Sequence, residues 1–246
     1  MIKFFRKIRY SHMSENRTGK YLKYALGEIL LVMIGILLAL QVNNWNEERK
    51  TRQKERKILL ELKDNLEESL QSFQYRRNVT HREIRMIDSI FHSMDNNVKR
   101  DSLVYWMKWA IIPVNIPLTS TAFESLKTIG YDLIQSDTLR EEIIRLFDII
   151  YPLGSRQEAL RVETEQNAYD PYLNEYITRD TTSQIYQMTI DNFPKMRQDR
   201  LFKNTLWSFR SFRKHLYLPS LDWWADKCKN IIDLIDNELN KLQKYN

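Results

Sequence analysis

Four histidines (His12, His81, His92 and His215) and one cysteine (Cys228) are the side chains best suited to metal binding or nucleophilic chemistry, and their spacing supports neither. On a helix His81 and His92 share a face. They stand about 16 Å apart along it, too far for one ion with ligand bonds of about 2 Å. There is no H-E-x-x-H, no C-x-x-C, no phosphate-cradling glycine loop and no nucleophile elbow. Cys228 stands on an apolar helical stripe and reads as core. A single cysteine permits no intramolecular disulfide and leaves the redox compartment open. The chain therefore reads as a non-enzyme with no catalytic, cofactor-binding or metal-binding residues and no cofactor. An enzyme of unrecognised type is the alternative, because helical bundles can build sites from scattered carboxylates.

Three other groups invite a functional reading beside a plainer one. Glu28 lies at the edge of a long apolar run, where an ionisable group could serve a proton or ion path, or a partner's cation. It could equally be an interfacial carboxylate paired with Lys23 or Lys20. Gly35 and Ala39 have the small-xxx-small spacing of a helix–helix contact in the bilayer, a spacing that also arises by chance in apolar segments. In the stretch Trp207 to His215 aromatics and cations alternate, as in some nucleic-acid binders. There Phe209, Phe212 and Leu216 fit a core stripe, with Arg210 and Arg213 on a solvated face. Glu124 and Lys127, in the block Thr121 to Gly130, could line a pocket or could be a capping box and a surface cation.

What must position these residues is almost entirely helix. From Ile29 to Leu40 every residue is apolar, and extension to Tyr24 and Val42 gives 19 residues. Nineteen residues rise about 28 Å, close to the roughly 30 Å hydrocarbon thickness of a bilayer. The apolar gain outweighs the cost of one off-centre carboxylate. Tyr21, Tyr24 and Trp45 fall where interface aromatics belong. Leu-Gln-Val-Asn-Asn-Trp, after the run, offers no A-x-A-like cleavage site, so the segment reads as an uncleaved signal anchor.

Charge agrees with this. The chain carries a net +6. Lys3, Arg6, Lys7, Arg9, Arg17, Lys20 and Lys23 against Glu15 already supply that excess before the span, so the remainder is near neutral and no nucleic-acid surface is implied. Ile2, Phe4, Phe5 and Ile8 alternate with the first cations, which suits either an amphipathic helix on an anionic leaflet or a simple topogenic cluster. Six further cations (Arg49, Lys50, Arg52, Lys54, Arg56, Lys57) follow the span, so the positive-inside count is nearly tied. Because long domains translocate largely regardless of flanking charge, the expected orientation has the N-terminus in the cytoplasm and the large domain outside it.

Beyond the span, Ile58, Leu59, Leu62, Leu66, Leu70 and Phe73 repeat at helical spacing, and no glycine separates Gly35 from Gly130. The expectation is one rod to about Tyr75 and a second helix from Thr80 to Met94. Residues 110–118, with two prolines, suggest an extended apolar loop on the core. Thr121-Ala-Phe-Glu124 has capping-box spacing before a helix ending at Gly130. Ser136 begins another helix that Pro152 and Gly154 end. Arg156 to Asn167 and Tyr172 to Ile177 read as helical, and residues 178–195 carry the weakest signal. Two stripes close the chain on either side of Pro219. The first is Leu201, Phe202, Leu206, Phe209, Phe212 and Leu216. The second runs from Leu221 through Cys228 to Leu242. No stretch keeps the period-two alternation of a sheet.

The N-terminal block Met1-Ile-Lys-Phe-Phe-Arg-Lys-Ile-Arg, Gly27-Glu28-Ile29 and Ala39-Leu40-Gln41-Val42-Asn43-Asn44-Trp45-Asn46-Glu47, together with Ala122-Phe123-Glu124-Ser125-Leu126-Lys127, Gly130 and Leu139-Arg140, resembles an uncharacterised family of membrane proteins from Bacteroidota, known only as a domain of unknown function. The resemblance extends along the chain. It implies a bacterial inner-membrane location and no particular activity.

The expected protein is all-α: one N-terminal transmembrane helix continuing into a multi-helix bundle. Residues 1–23 form a basic cytoplasmic leader, 24–42 the span and 43–246 an extracytoplasmic helical domain. Its partners would be the lipid bilayer and a protein partner or a second copy, with no nucleic acid. An interaction or sensory module of the envelope fits this organisation, with a structural subunit of an envelope complex as the alternative.

Overall fold

The computed structural model describes residues 18–99, 101–111, 115–180 and 187–243. The amphipathic expectation for Met1 to Tyr10 lies outside the described residues. Two compact units divide the chain after Lys54.

Helix α1 runs from Thr18 to Asp95, 78 residues without a break. The boundary expected between Tyr75 and Thr80 does not exist. No glycine or proline interrupts the backbone between Gly35 and Asp95, so nothing stops i→i−4 bonding there. In the first unit the large apolar side chains from Leu22 to Val42 are all exposed, from 47% at Ile34 to 72% at Leu31. An apolar surface so continuous needs a cover other than water. Among the described residues this helix is long and apolar enough to cross a membrane.

In the second unit α1 turns Ile58, Leu59, Leu62, Leu66 and Phe73, then Ile87, Ile90 and Met94, into the interior. Around it lie α2 (Leu103–Trp109), α3 (Thr121–Ile129) and α4 (Asp137–Ile144). α4 passes through a π-helical segment, Arg145–Ile150, into α5 (Tyr151–Tyr176). A short antiparallel hairpin follows, β1 (Ile177–Asp180) with β2 (Gln187–Ile190), Ile177 opposite Ile190. It occupies the stretch of weakest sequence signal, where four-residue strands are too short to show alternation. Then come α6 (Phe193–Gln198) and α7 (Arg200–Phe212). α7 continues through a second π-helical segment, Arg213–Tyr217, into α8 (Leu218–Gln243). α8 runs antiparallel to α1, pinned by Lys63–Asp236 at 2.6 Å and Arg77–Asp222 at 3.1 Å.

The two π-helical segments correct the sequence reading. Pro152 and Pro219 each stand two residues beyond one, and neither ends its helix. A proline lacks the N–H for an i−4 bond, and its ring clashes with that carbonyl in a regular helix. A wide turn just before it, such as the Tyr151 N–H bonded to the Leu146 carbonyl, relieves both problems. Pro171 also lies inside α5, so the expected break at Asp170-Pro171 is absent. The capping box at Thr121 is absent too. Asn65 of α1 reaches across instead, its Oδ1 accepting from the Ala122 N–H at 2.9 Å and the Thr121 hydroxyl at 3.2 Å. Gly130 does end α3, at φ 114°, a conformation that disfavours any side chain. Ser136 caps α4 by accepting the Leu139 N–H.

Buried apolar residues form two clusters. One packs α1 up to Phe73 against α3, α4, the start of α5 and α8. The other packs α1 from Met86 to Met94 against α2, the end of α5, the hairpin, α6 and α7.

Candidate functional site

Between those clusters, α1, α5 and the second π-helical segment each turn charged residues inward. α1 supplies Arg76 and Glu83, α5 supplies Glu158, Arg161 and Glu165, and the π-helical segment supplies Arg213 and Tyr217. Each set follows helical spacing: seven residues on α1, three and four on α5, four on the π-helical segment. Each therefore lies on one face. Glu83 and Arg213 are fully buried, and Arg76 is 1% exposed.

The contacts fall into two tiers. In one, the Arg76 Nε–H donates to the Tyr217 hydroxyl at 3.0 Å and lies 3.8 Å from Glu158 Oε1, and Tyr217 donates to that same oxygen at 2.7 Å. In the other, Arg213 Nε donates to Glu83 Oε2 at 2.8 Å, while its two terminal nitrogens reach both oxygens of Glu165 at 3.0 and 2.8 Å. Arg161 and Arg76 join the tiers: Arg161 holds both oxygens of Glu158 at 3.0 and 2.7 Å and Glu165 Oε2 at 2.6 Å, and a terminal nitrogen of Arg76 reaches Glu83 Oε2 at 3.4 Å. The Arg76 and Arg161 guanidiniums also stand 5.2 and 4.7 Å from the Tyr217 ring centroid. Three guanidiniums meet three carboxylates, so the cluster is electrically neutral.

Burial pushes the Tyr217 hydroxyl up to about 12, against the opposing pull of the Arg76 charge. Burial alone would lower Arg213, but the charges of Glu83 and Glu165 outweigh it and hold its pKa above the ordinary arginine value. Arg161 is likewise raised, its burial outweighed by the bonds and charges of Glu158 and Glu165. Within the cluster each guanidinium thus faces carboxylates, and charge is matched across the three helical segments that meet there.

Arg213 is the chief correction to the sequence reading, which put it on a solvated face with Leu216 in the core. The structure reverses the two: Leu216 is 63% exposed and Arg213 fully buried. Arg213 follows Leu206 by seven residues and Phe202 by eleven, which keeps it on their inward face, and the wide π turn that begins there carries Leu216 away from it. Leu201, also placed on that stripe, is exposed.

The remaining sequence candidates do not converge. Glu28 and Ala39 are exposed along α1, and a Cβ added at Gly35 would meet open space. Lys127 pairs with Asp148 at 3.0 Å and lies over Phe123, while Glu124, three residues earlier on the same helix, is exposed. Cys228 is buried with its Sγ 3.2 Å from the Tyr151 hydroxyl. Among the described residues no group of three His, Cys, Asp or Glu side chains is arranged to hold a metal ion.

Residues 28–95 match the model of a family of unknown function (DUF6090), a stretch that begins in the apolar segment and ends with the last residue of α1. No curated protein and no solved structure matches the chain.

Proposed function

We propose that the protein is a single-span, membrane-anchored module of the bacterial envelope whose bundle binds a protein partner or small ligand outside the cytoplasm. One observation carries the reading: the exposed apolar segment is part of the same helix that forms the core of the bundle, so anchor and binding domain share one backbone element. The resemblance of the N-terminal block to Bacteroidota membrane proteins supports an inner-membrane location. The long domain and basic leader support an N-terminus in the cytoplasm and a periplasmic C-terminal domain. The ion-paired cluster, its charges matched internally, supports a structural role for the centre of the bundle.

Reporter fusions at Leu66 and Asn246 test the topology. Both should report a periplasmic location, and cytoplasmic activity at both would overturn it. Alkaline carbonate extraction tests the anchor: the protein must stay in the pellet. Crosslinking in living cells should capture a partner, and recovery of monomer alone under several growth conditions counts against the binding role.

A second reading, a structural subunit of an envelope complex, draws on Ile149, Leu153 and Leu160. These stand exposed at spacings of four and seven, a stripe along the α4–α5 helix. It requires a stoichiometric assembly that survives mild detergent. A freely diffusing monomer excludes it.

A further inference from the structure

We infer that the buried ionic cluster is a register latch on α1, fixing its axial position against α5 and the α7–α8 helix and making any slip all-or-none. The tiers are repeated at equal intervals on two parallel rails. Arg76 lies beside Glu158, and Glu83 is joined to Glu165 through Arg213, seven residues further along both helices. Seven residues rise about 10.5 Å. A slip of α1 by that interval in one direction carries Glu83 to the carboxylate of Glu158. The opposite slip carries Arg76 to the guanidinium of Arg213. Either meets a like charge in a buried site. A slip of three or four residues brings Ser72, Phe73, Val79, Thr80, Met86 or Ile87 to those positions and leaves Glu158, Tyr217 and Arg213 without their α1 partners.

The apolar clusters impose no such rule. Their α1 faces are rows of leucine, isoleucine, methionine and phenylalanine, which carry no charge to oppose a shifted neighbour. A buried ion-pair cluster is a poor source of net stability, since well-packed apolar replacements are often neutral or stabilising. Its best-attested use is to specify register. Lying at the seam of two apolar clusters, the cluster adds a buried, charge-specific register to the pins that Lys63–Asp236, Arg77–Asp222 and Asn65 place on α1.

The test uses the full chain in lipid nanodiscs, with cysteine-attached spin labels at the exposed positions Gln71 and Asn167 and with buried Cys228 left in place. Pulsed electron–electron resonance on the otherwise native chain must give one narrow distance. Replacing the whole cluster (R76M, E83L, E158L, R161M, E165L, R213M, Y217F) should add a population displaced by about one helical turn, 5.4 Å, or a multiple of it, with a melting temperature equal to or above that of the parent. If this variant does not fold cooperatively, R76M with E158M is read instead. It removes one charge of each sign and should show the same second population. A single native distance in the variant that folds overturns the latch, whatever its stability, and so does a second distance in the unmutated chain.

Discussion

Gly154 of α5 lies so close to the indole of Trp224 of α8 that an added Cβ would stand 2.7 Å from both Cζ2 and Cη2. With Pro152 two residues before it, this glycine reads from sequence as part of a helix stop. In the structure it is a seat for an aromatic ring inside a continuing helix. Glycine in a helix interior costs about 0.5–1 kcal/mol relative to alanine, and here that cost is offset by the close approach.

Gly154→Ala therefore sets a helix-propensity gain below about 1 kcal/mol against overpacking of a rigid ring, typically about 1–3 kcal/mol. Overpacking should win. Thermal denaturation should show a lower midpoint, by roughly 2–4 °C per kcal/mol for a domain of this size, with an altered tryptophan emission. An unchanged or raised midpoint would mean that Trp224 can move aside freely.

Truncating one member of the buried cluster strands its partners. Arg213→Ala should cost about 3–5 kcal/mol, the range for breaking a buried pair from one side. Tyr217→Phe, losing one accepted and one donated hydrogen bond, should cost about 1–3 kcal/mol. A double-mutant cycle of Glu83→Ala with Arg213→Ala, followed by urea denaturation, should be strongly non-additive. Simple additivity would show that the two groups do not share their energy.

The N-terminus of α3 is held by a side chain 57 residues away rather than by its own cap. Asn65→Ala should cost about 0.5–2 kcal/mol, the range for a lost cap. It should also raise hydrogen exchange at the Ala122 amide more than at amides of α8. Ser120→Ala should have little effect, because the Ser120 side chain makes no cap bond.

Burial pushes the Cys228 thiol up to about 11, the nearby Tyr151 hydroxyl pulling slightly the other way. The unfolded value is about 8.5. A group whose folded pKa is raised contributes stability that is complete below the unfolded pKa and is lost as pH climbs through the folded one. Stability should therefore fall between about pH 8.5 and 11, and Cys228→Ala should flatten that part of the profile. An aromatic disulfide reagent at pH 8 should label Cys228 slowly in the native protein and quickly in urea.

The architecture was legible wherever apolar periodicity ran through uninterrupted backbone. The stretch from Ile58 to Phe73 and the stripe from Leu221 to Leu242 face inward as their spacing requires, and Ser136 caps the helix it precedes. What stayed hidden has physical causes. A π turn leaves no composition signal, so Pro152 and Pro219 read as terminators and Leu216 reads as core. The Asn65 cap depends on a partner remote in sequence, and the hairpin's four-residue strands are too short to show alternation. Part of the ionic cluster did leave a trace. Arg76 and Glu83 occupy a heptad within the inward row between Phe73 and Ile87, and a charge there asks for a counter-charge opposite. Only the fold could say which one.

The stretch matched to a known family ends where α1 ends, and α1 completes nothing alone. Its inward face bears Glu55, Asn65, Arg76 and Glu83, whose bonding partners include Gln135, Ala122, Tyr217 and Arg213, all encoded later in the chain. A polypeptide cut at Asp95 would keep its grip on lipid yet lay bare a greasy seam studded with orphaned charges. The matched stretch is half of a lock, and the rest of this chain supplies the other half.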